Sequence, residues 1–409
     1  MALTGPIVID TSPPFTTQGT LSHGVRDGKW FNFTLDLENG FPSDSVYFTG
    51  SRALFYNAST RHMLPGQVLA VTQAFSIVPL GGSNWRVSVS FHANPTLTIP
   101  NGALCALAPT YGGPAVQITN STRLSASDIT SYGASGFTLL EYGGEGNHTY
   151  TRLNVTRRPG SSRLMASTAD VFHSTAVAKG PTLEGSELSY AGDDLFAVHC
   201  ELGVLWQRLN DTLYYIWDTG GGEFGLPQGS AGDALNFYAI SANMTRLRSG
   251  VLSRVLESVR NSTIVAEAQS AAEKLQRDFF LRKFNVTVFI AHLEPPGLDL
   301  GDLSALVELP SRCGAGAVVS NSYLHDTNGG MRIKGSRTTV VNTTLEYAYG
   351  IRMLPELYWT QSVSSDVLLE NNTLRWCGCT TLAPHAIEYN PDIVGLKLVN
   401  NTVYPSQCI

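Results

Sequence analysis

Apolar and polar residues alternate over short runs along most of this chain, and Gly, Pro and Asn interrupt the runs every few positions. In residues 309–409 the alternation becomes periodic. The segments "AVVSNSYLHDTNG", "TVVNTTLEYAYG", "VLLENNTLRWCG" and "LKLVNNTVYPS" each read as an apolar strand, an Asn, a Ser or Thr, an apolar residue and a turn. The asparagines Asn321, Asn342, Asn372 and Asn401 recur at spacings of 21, 30 and 29 residues. One strand-and-turn unit per repeat of about 20–30 residues marks a solenoid. Short strands with no long helix make it a parallel β-helix, in which each coil stacks on the last. Asparagines at equivalent places are then expected to stack at a bend and share amide hydrogen bonds. The same texture runs through residues 109–203, in "PAVQITNSTRL", "GFTLLEYGG", "RLMASTADVFHS", "GPTLEGSEL" and "DDLFAVHC".

Two segments break this pattern. Residues 1–108 carry longer alternating strands such as "RVSVSFHA", and residues 204–308 carry "DTLYYIWD", "GDALNFYAI" and "FNVTVFIAHL". Both end on a Gly-containing turn and a short apolar strand, so they read as two related β-barrel or sandwich modules. The second adds one helix, "STIVAEAQSAAEKLQRDFF", whose Ile264, Ala268, Ala271, Leu275 and Phe279 follow helical spacing and read as packing. The expected fold is therefore all-β: a right-handed parallel β-helix interrupted by two barrel-like modules.

Composition narrows the setting. Apolar residues make up 43% and charged residues 15%, and the net charge is −6. A large core is available, while the charge balance and the lack of a basic run argue against a nucleic-acid surface. No apolar stretch is long enough to span a membrane. Asn-x-Ser/Thr sequons occur at Asn32, Asn57, Asn120, Asn147, Asn154, Asn210, Asn243, Asn261, Asn285, Asn342, Asn371 and Asn400. That density points to a secreted or lumenal glycoprotein, although Asn342, Asn371 and Asn400 also suit structural turns. Six cysteines fit an oxidising compartment, with a pairing the sequence does not reveal. The opening "MALTGPIVIDTSPPF" has neither a basic nor an apolar leader region, so a secreted chain is expected to be a piece of a longer precursor.

The candidate chemistry lies in "STADVFHS" and "YAGDDLFAVHC". Aligning Asp170-Val171-Phe172 with Asp194-Leu195-Phe196 gives an offset of 24 residues, one coil. Adjacent parallel strands lie about 4.8 Å apart, so Asp170 should stack on Asp193 or Asp194. Three crowded carboxylates repel, and one of them is expected to keep a proton near neutral pH, which is the equipment of general acid–base chemistry. A turn Asp or a calcium site is the competing reading. His173 and His199 lie on the same strands and can orient a carboxylate or bind a sugar hydroxyl, or be structural. On later coils Arg332, Lys334 and Arg352 should point outward, with Glu388 one coil further. Trp206 and Trp359 are aromatic candidates for a sugar face, against a plain packing role.

These residues carry a likeness. "TAD…GDD…H…RIK" on a β-helix resembles the polygalacturonase-like glycoside hydrolases. The order "IDTSPPFTTQGTL", "ADVFHS", "GDDLFAVH", a barrel, then "MRIKGSRTTVVNTTL…YWTQSVSSDVLLENNTL" is similar to the family-110 α-1,3-galactosidases. The resemblance implies an exo-acting, inverting α-galactosidase on galactose-containing glycans; no cofactor and no metal are expected. It implies Asp193 as general acid, Asp170 and Asp194 as the pair that activates water, and further coils before residue 1. His173, His199, Arg332, Lys334, Arg352 and Trp359 would contact the sugar. Arg332-Ile333-Lys334 also matches a triplet that binds uronate carboxylates in polygalacturonases. A uronic-acid hydrolase or lyase, and a non-catalytic glycan-binding β-helix, are thus the alternatives.

Overall fold

The computed structural model describes residues 2–3, 6–11, 14–64, 73–90, 98–109, 112–200, 202–218, 229–239, 246–254, 256–279, 287–294, 305–354, 364–378 and 385–404. The short alternating runs stack as parallel strands, with equivalent apolar residues of successive coils in one column. Phe172, Phe196, Met331 and Ile351 form the column of one wall. Leu183, Val319, Val340 and Leu369 form a second, and Leu188, Leu324, Leu345 and Leu374 a third. All twelve are buried in one continuous core. Each contributes roughly 1.5–3 kcal/mol when fully buried. The Phe172 and Phe196 rings stack with centroids 5.2 Å apart, and Tyr150 meets Phe172 edge-on at 5.1 Å. The fold is all-β: a β-helix of parallel sheets interrupted by antiparallel barrels.

The asparagine periodicity belongs to two neighbouring columns. Asn321, Asn342, Asn371 and Asn400 share a left-handed backbone with φ between 50° and 53°, a conformation that asparagine tolerates at a sharp corner. Asn342 Nδ2 donates to Asn321 Oδ1 at 3.3 Å. Asn372 and Asn401 stand one residue later and turn inward, where Asn372 Nδ2 donates to Asn401 Oδ1 at 2.9 Å. The sequence-based ladder combined the two registers.

The first barrel closes six strands in the order Thr17–Asp27, Trp30–Leu37, Asn84–Ser90, Gln73–Gly81, Arg52–Tyr56, Leu104–Ala108. It starts at Thr17. Ala2–Leu3 and Ile7–Ile9, grouped with the barrel in the sequence reading, instead pair in parallel with Ser125–Ser131 of the β-helix. The barrel is thus an excursion from a coil, and strand alternation alone does not say which sheet a strand joins. The second barrel runs Leu213–Asp218, Leu202–Arg208, Ala305–Glu308, Ala234–Ala239, Arg246–Leu252, Val288–Glu294 and returns to Leu213–Asp218. Its helix, Ser262–Phe279, is capped by Asn261, whose Oδ1 accepts the Thr263 N–H at 3.0 Å. Ala268 and Ala272 are the buried contacts, Ala271 being only half-buried, and the side chains of Leu275 and Phe279 lie outside the described residues. This barrel departs after Phe196–His199, yet the next strand of that wall, Met331–Ile333, pairs directly with it. A Cys200–Cys313 disulfide ties the neck.

The first barrel docks onto the β-helix through a buried carboxylate. Asp326 meets His62 Nδ1 at 2.8 Å and His325 Nδ1 at 2.7 Å and accepts the Met63 N–H at 2.7 Å. Burial would raise its carboxyl, but the bonds from His325 and His62 outweigh that and hold it below the usual carboxylate value. Burial would likewise lower His325, and Asp326 and Glu187 overcome it and raise the ring above its usual value. The Asp326 contribution is therefore present above about pH 3.9 and lost as pH falls through its lowered value. The His325 contribution is present below about pH 6.5 and lost as pH rises through its raised value. Asp326→Asn should weaken this docking by about 1–3 kcal/mol, since it leaves buried donors poorly matched. Hydrogen exchange of residues 52–64 measures it, and unchanged protection in the variant would refute the latch.

Candidate active site

The coil register sets Asp170 beside Asp194. Phe172 pairs with Phe196, and the Val171 N–H donates to Asp194 O at 2.9 Å. Asp193 completes the group, with one oxygen from each carboxyl within 4.8 Å of the others. Glycines make the close approach possible. A Cβ on Gly192 would lie 2.3 Å from Thr168 O, and one on Gly329 would lie 2.5 Å from Asp194 Oδ1. The Gly330 N–H instead donates to Asp194 Oδ1 at 3.1 Å. The Asp170 and Asp194 side chains are 7% and 8% exposed, whereas Asp193 is 25% exposed and faces water.

Two arginines neutralise the doublet. Arg52 Nη2 lies 2.6 Å from Asp193 Oδ2, and its Nη1 donates to Gly192 O at 2.7 Å. Arg332 Nε lies 2.9 Å from Asp194 Oδ2. Burial pushes the Asp193 carboxyl up, but Arg52 and Arg332 more than offset it, and the group sits below the usual carboxylate range. A carboxylate held this way is a poor proton donor, contrary to the acid role that the resemblance implies for Asp193. The same two guanidiniums compete with any cation drawn to the three carboxylates.

Asp170 has a histidine partner: His173 Nδ1 lies 2.6 Å from Asp170 Oδ2. Behind it, His199 Nε2 lies 2.9 Å from His173 Nε2. Burial, followed by the neighbouring His173 ring, pushes His199 well below its usual value. Arg332 and Arg352 share a register column with Ala197 and Glu388. Arg352 Nε stands 3.7 Å from Glu388 Oε2, and the guanidinium lies 5.1 Å from the Tyr349 ring centroid.

Lys334 departs from expectation. It follows the strand Met331–Ile333 and is fully buried, with its Nζ donating to Leu354 O, where strand alternation predicts an outward, accessible side chain. Trp359 lies outside the described residues. Trp206 stacks on Tyr215 within the second barrel, a packing role. Sequence reasoning missed Arg52. Its signal was a cation heading the apolar strand "RALFY", every residue of which is buried, the same kind of anomaly as the aspartates.

No family model matches the chain, and no curated protein matches it.

Proposed function

We propose that this chain is a glycoside hydrolase that cleaves galactose-containing glycans at the Asp170–Asp193–Asp194 cluster. The observation that carries the proposal is the convergence of three carboxyls from adjacent coils where Asp193 reaches water. Glycosidic cleavage needs one carboxyl group that gives a proton to the leaving oxygen and one carboxylate that activates water or attacks the sugar. Asp193, kept ionised by Arg52 and Arg332, suits the second role. The galactose preference and an inverting course come from the resemblance. The oxygens approach more closely than the roughly 6.5–9.5 Å that leaves room for water between an inverting acid and base. Inversion would therefore need the water to enter beside the cluster.

A panel of α- and β-linked galactosides and oligogalacturonides, with the product anomer followed by NMR, tests the proposal. Release of galactose of inverted configuration is expected. A first product of retained configuration would remove the inverting course, and no hydrolysis of any substrate would remove the function. The uronic-acid reading draws on Arg332 and Arg352, but burial of Lys334 takes away one cation of the triplet that motivated it.

Export through an oxidising compartment is part of the same proposal. The Cys200–Cys313 disulfide supports it. So does the placement of the sequons: of the ten on described residues, nine asparagines are exposed and Asn154 is half-buried. No helix among the described residues is long and apolar enough to cross a membrane.

A further inference from the structure

The two histidines behind Asp170 obey a donor–acceptor constraint. His199 Nδ1 lies 3.1 Å from the Cys200 carbonyl oxygen, which can only accept, and 3.2 Å from Thr175 Oγ1, which can do either. Satisfying the carbonyl puts a hydrogen on His199 Nδ1. The ring is buried, and burial together with Arg332 and Lys334 disfavours a charge on it, so it is neutral and its Nε2 carries a lone pair. The 2.9 Å contact between the two Nε2 atoms then requires the hydrogen to belong to His173. With Nε2 committed as a donor, the 2.6 Å contact from His173 Nδ1 to Asp170 Oδ2 also needs a hydrogen. It sits on the nitrogen, as an imidazolium–carboxylate pair, or on the oxygen, as a carboxylic acid bonded to a neutral ring. In both cases the pair holds one transferable proton.

We propose that the Asp170–His173 pair is the proton store of the site and that His199 is the residue that positions it. The proposal rests on the hydrolase reading for its chemical use, but the hydrogen arrangement stands apart from it. The groups around the pair are Asp193 and Asp194 across the cluster, His199 behind it and the Phe137 ring at 4.6 Å from His173; Arg52 and Arg332 act on Asp193, and Arg332 and Lys334 on His199. Asp193 and Asp194 stand across the cluster from the store and are the acceptors that a turnover needs. The glycosidic C–O bond breaks as its oxygen takes the stored proton. A water oxygen bonds to the anomeric carbon, and the proton it loses passes to Asp193 or Asp194. Return of that proton to Asp170 closes the cycle, with one water consumed and no other reactant required.

Two-dimensional ¹⁵N–¹H NMR of the histidine-labelled full chain tests this directly. His173 is assigned through its contact with the Phe137 ring and confirmed in His173→Gln and His199→Gln. The expected spectrum across the neutral range shows His199 protonated at Nδ1 alone and His173 protonated at Nε2. A His199 ring protonated at Nε2, or a His173 ring bare at Nε2, would overturn the proposal. With an active substrate, His173→Gln should lower kcat about 10²-fold with KM little changed. His199→Phe, which removes the acceptor but keeps a ring, should broaden or abolish the His173 Nε2–H signal through faster exchange. The expected spectrum without hydrolysis would keep the proton arrangement and refute the hydrolase reading. Hydrolysis with the opposite tautomers would do the reverse.

Discussion

Asp193→Asn should lower kcat for glycoside hydrolysis by about 10²–10⁴-fold, the usual contribution of a positioned acid or base. Asparagine keeps the shape of the side chain, so substrate binding and the coil register persist while the carboxylate charge is lost. Arg52 then remains behind with a neutral partner, at a side chain only 8% exposed. Some stability is lost with it, and a chemical-denaturation curve separates that loss from the loss of turnover. The companion variant Arg52→Gln carries a sign. In the proposed reaction Asp193 acts as a carboxylate, so that role is lost as pH falls through its native value. Burial raises that value, and Arg52 together with Arg332 lowers it. Removing Arg52 should therefore shift the acid limb of the pH–rate profile to higher pH while leaving the alkaline limb in place. Turnover close to wild type in Asp193→Asn would sink the carboxylate's role, and an unmoved acid limb in Arg52→Gln would sink the part played by the barrel.

The second large effect concerns the neck of the second barrel. Replacing Cys200 and Cys313 together by serine should destabilise the protein by roughly 4–5 kcal/mol in the chain-entropy account of a loop of about 100 residues. The actual sequence separation is 113 residues. Denaturant midpoints with and without reductant measure it, and coincident curves would refute it. The loss should reach the candidate site as well. Cys200 directly follows His199 and supplies the carbonyl that fixes its Nδ1. A relaxed neck should therefore blur the histidine pair before the coils themselves melt, and the NMR signature of His199 reports on this in the same sample.

Much of this architecture was legible because a β-helix repeats its physics. The offset between Asp170 and Asp194 equals one coil, so neighbouring strands bring the two together by register alone. Arg332 and Arg352 share a column for the same reason. What escaped the sequence is whatever depends on contacts between modules. Arg52 lies on a barrel strand far from the aspartates in the chain, and no periodicity links them. The burial of Lys334 likewise depends on what packs over the outward face, which strand alternation does not describe. The exchange of Asn371 for Asn372 in the expected ladder has a local cause. "Asn-Asn-Thr" offers two asparagines, and only backbone conformation tells the corner residue from the inward one.

The neck also bears on how such a chain reaches its fold. Met331 must find Phe196 across the whole of the second barrel, a contact of very high sequence separation and hence of slow search. Within the neck, Gly203 pairs with Val307 and Leu202 with Glu308. Once those barrel strands have paired, the two ends of the excursion are already side by side, and only short connections remain to be closed before the later coils can add. Because loop-closure entropy grows with the length still free, a barrel that folds before the later coils turns a distant encounter into a local one. Circular permutants that open the barrel at a surface turn, leaving every coil residue in place, should therefore slow assembly of the C-terminal coils more than they weaken the finished protein.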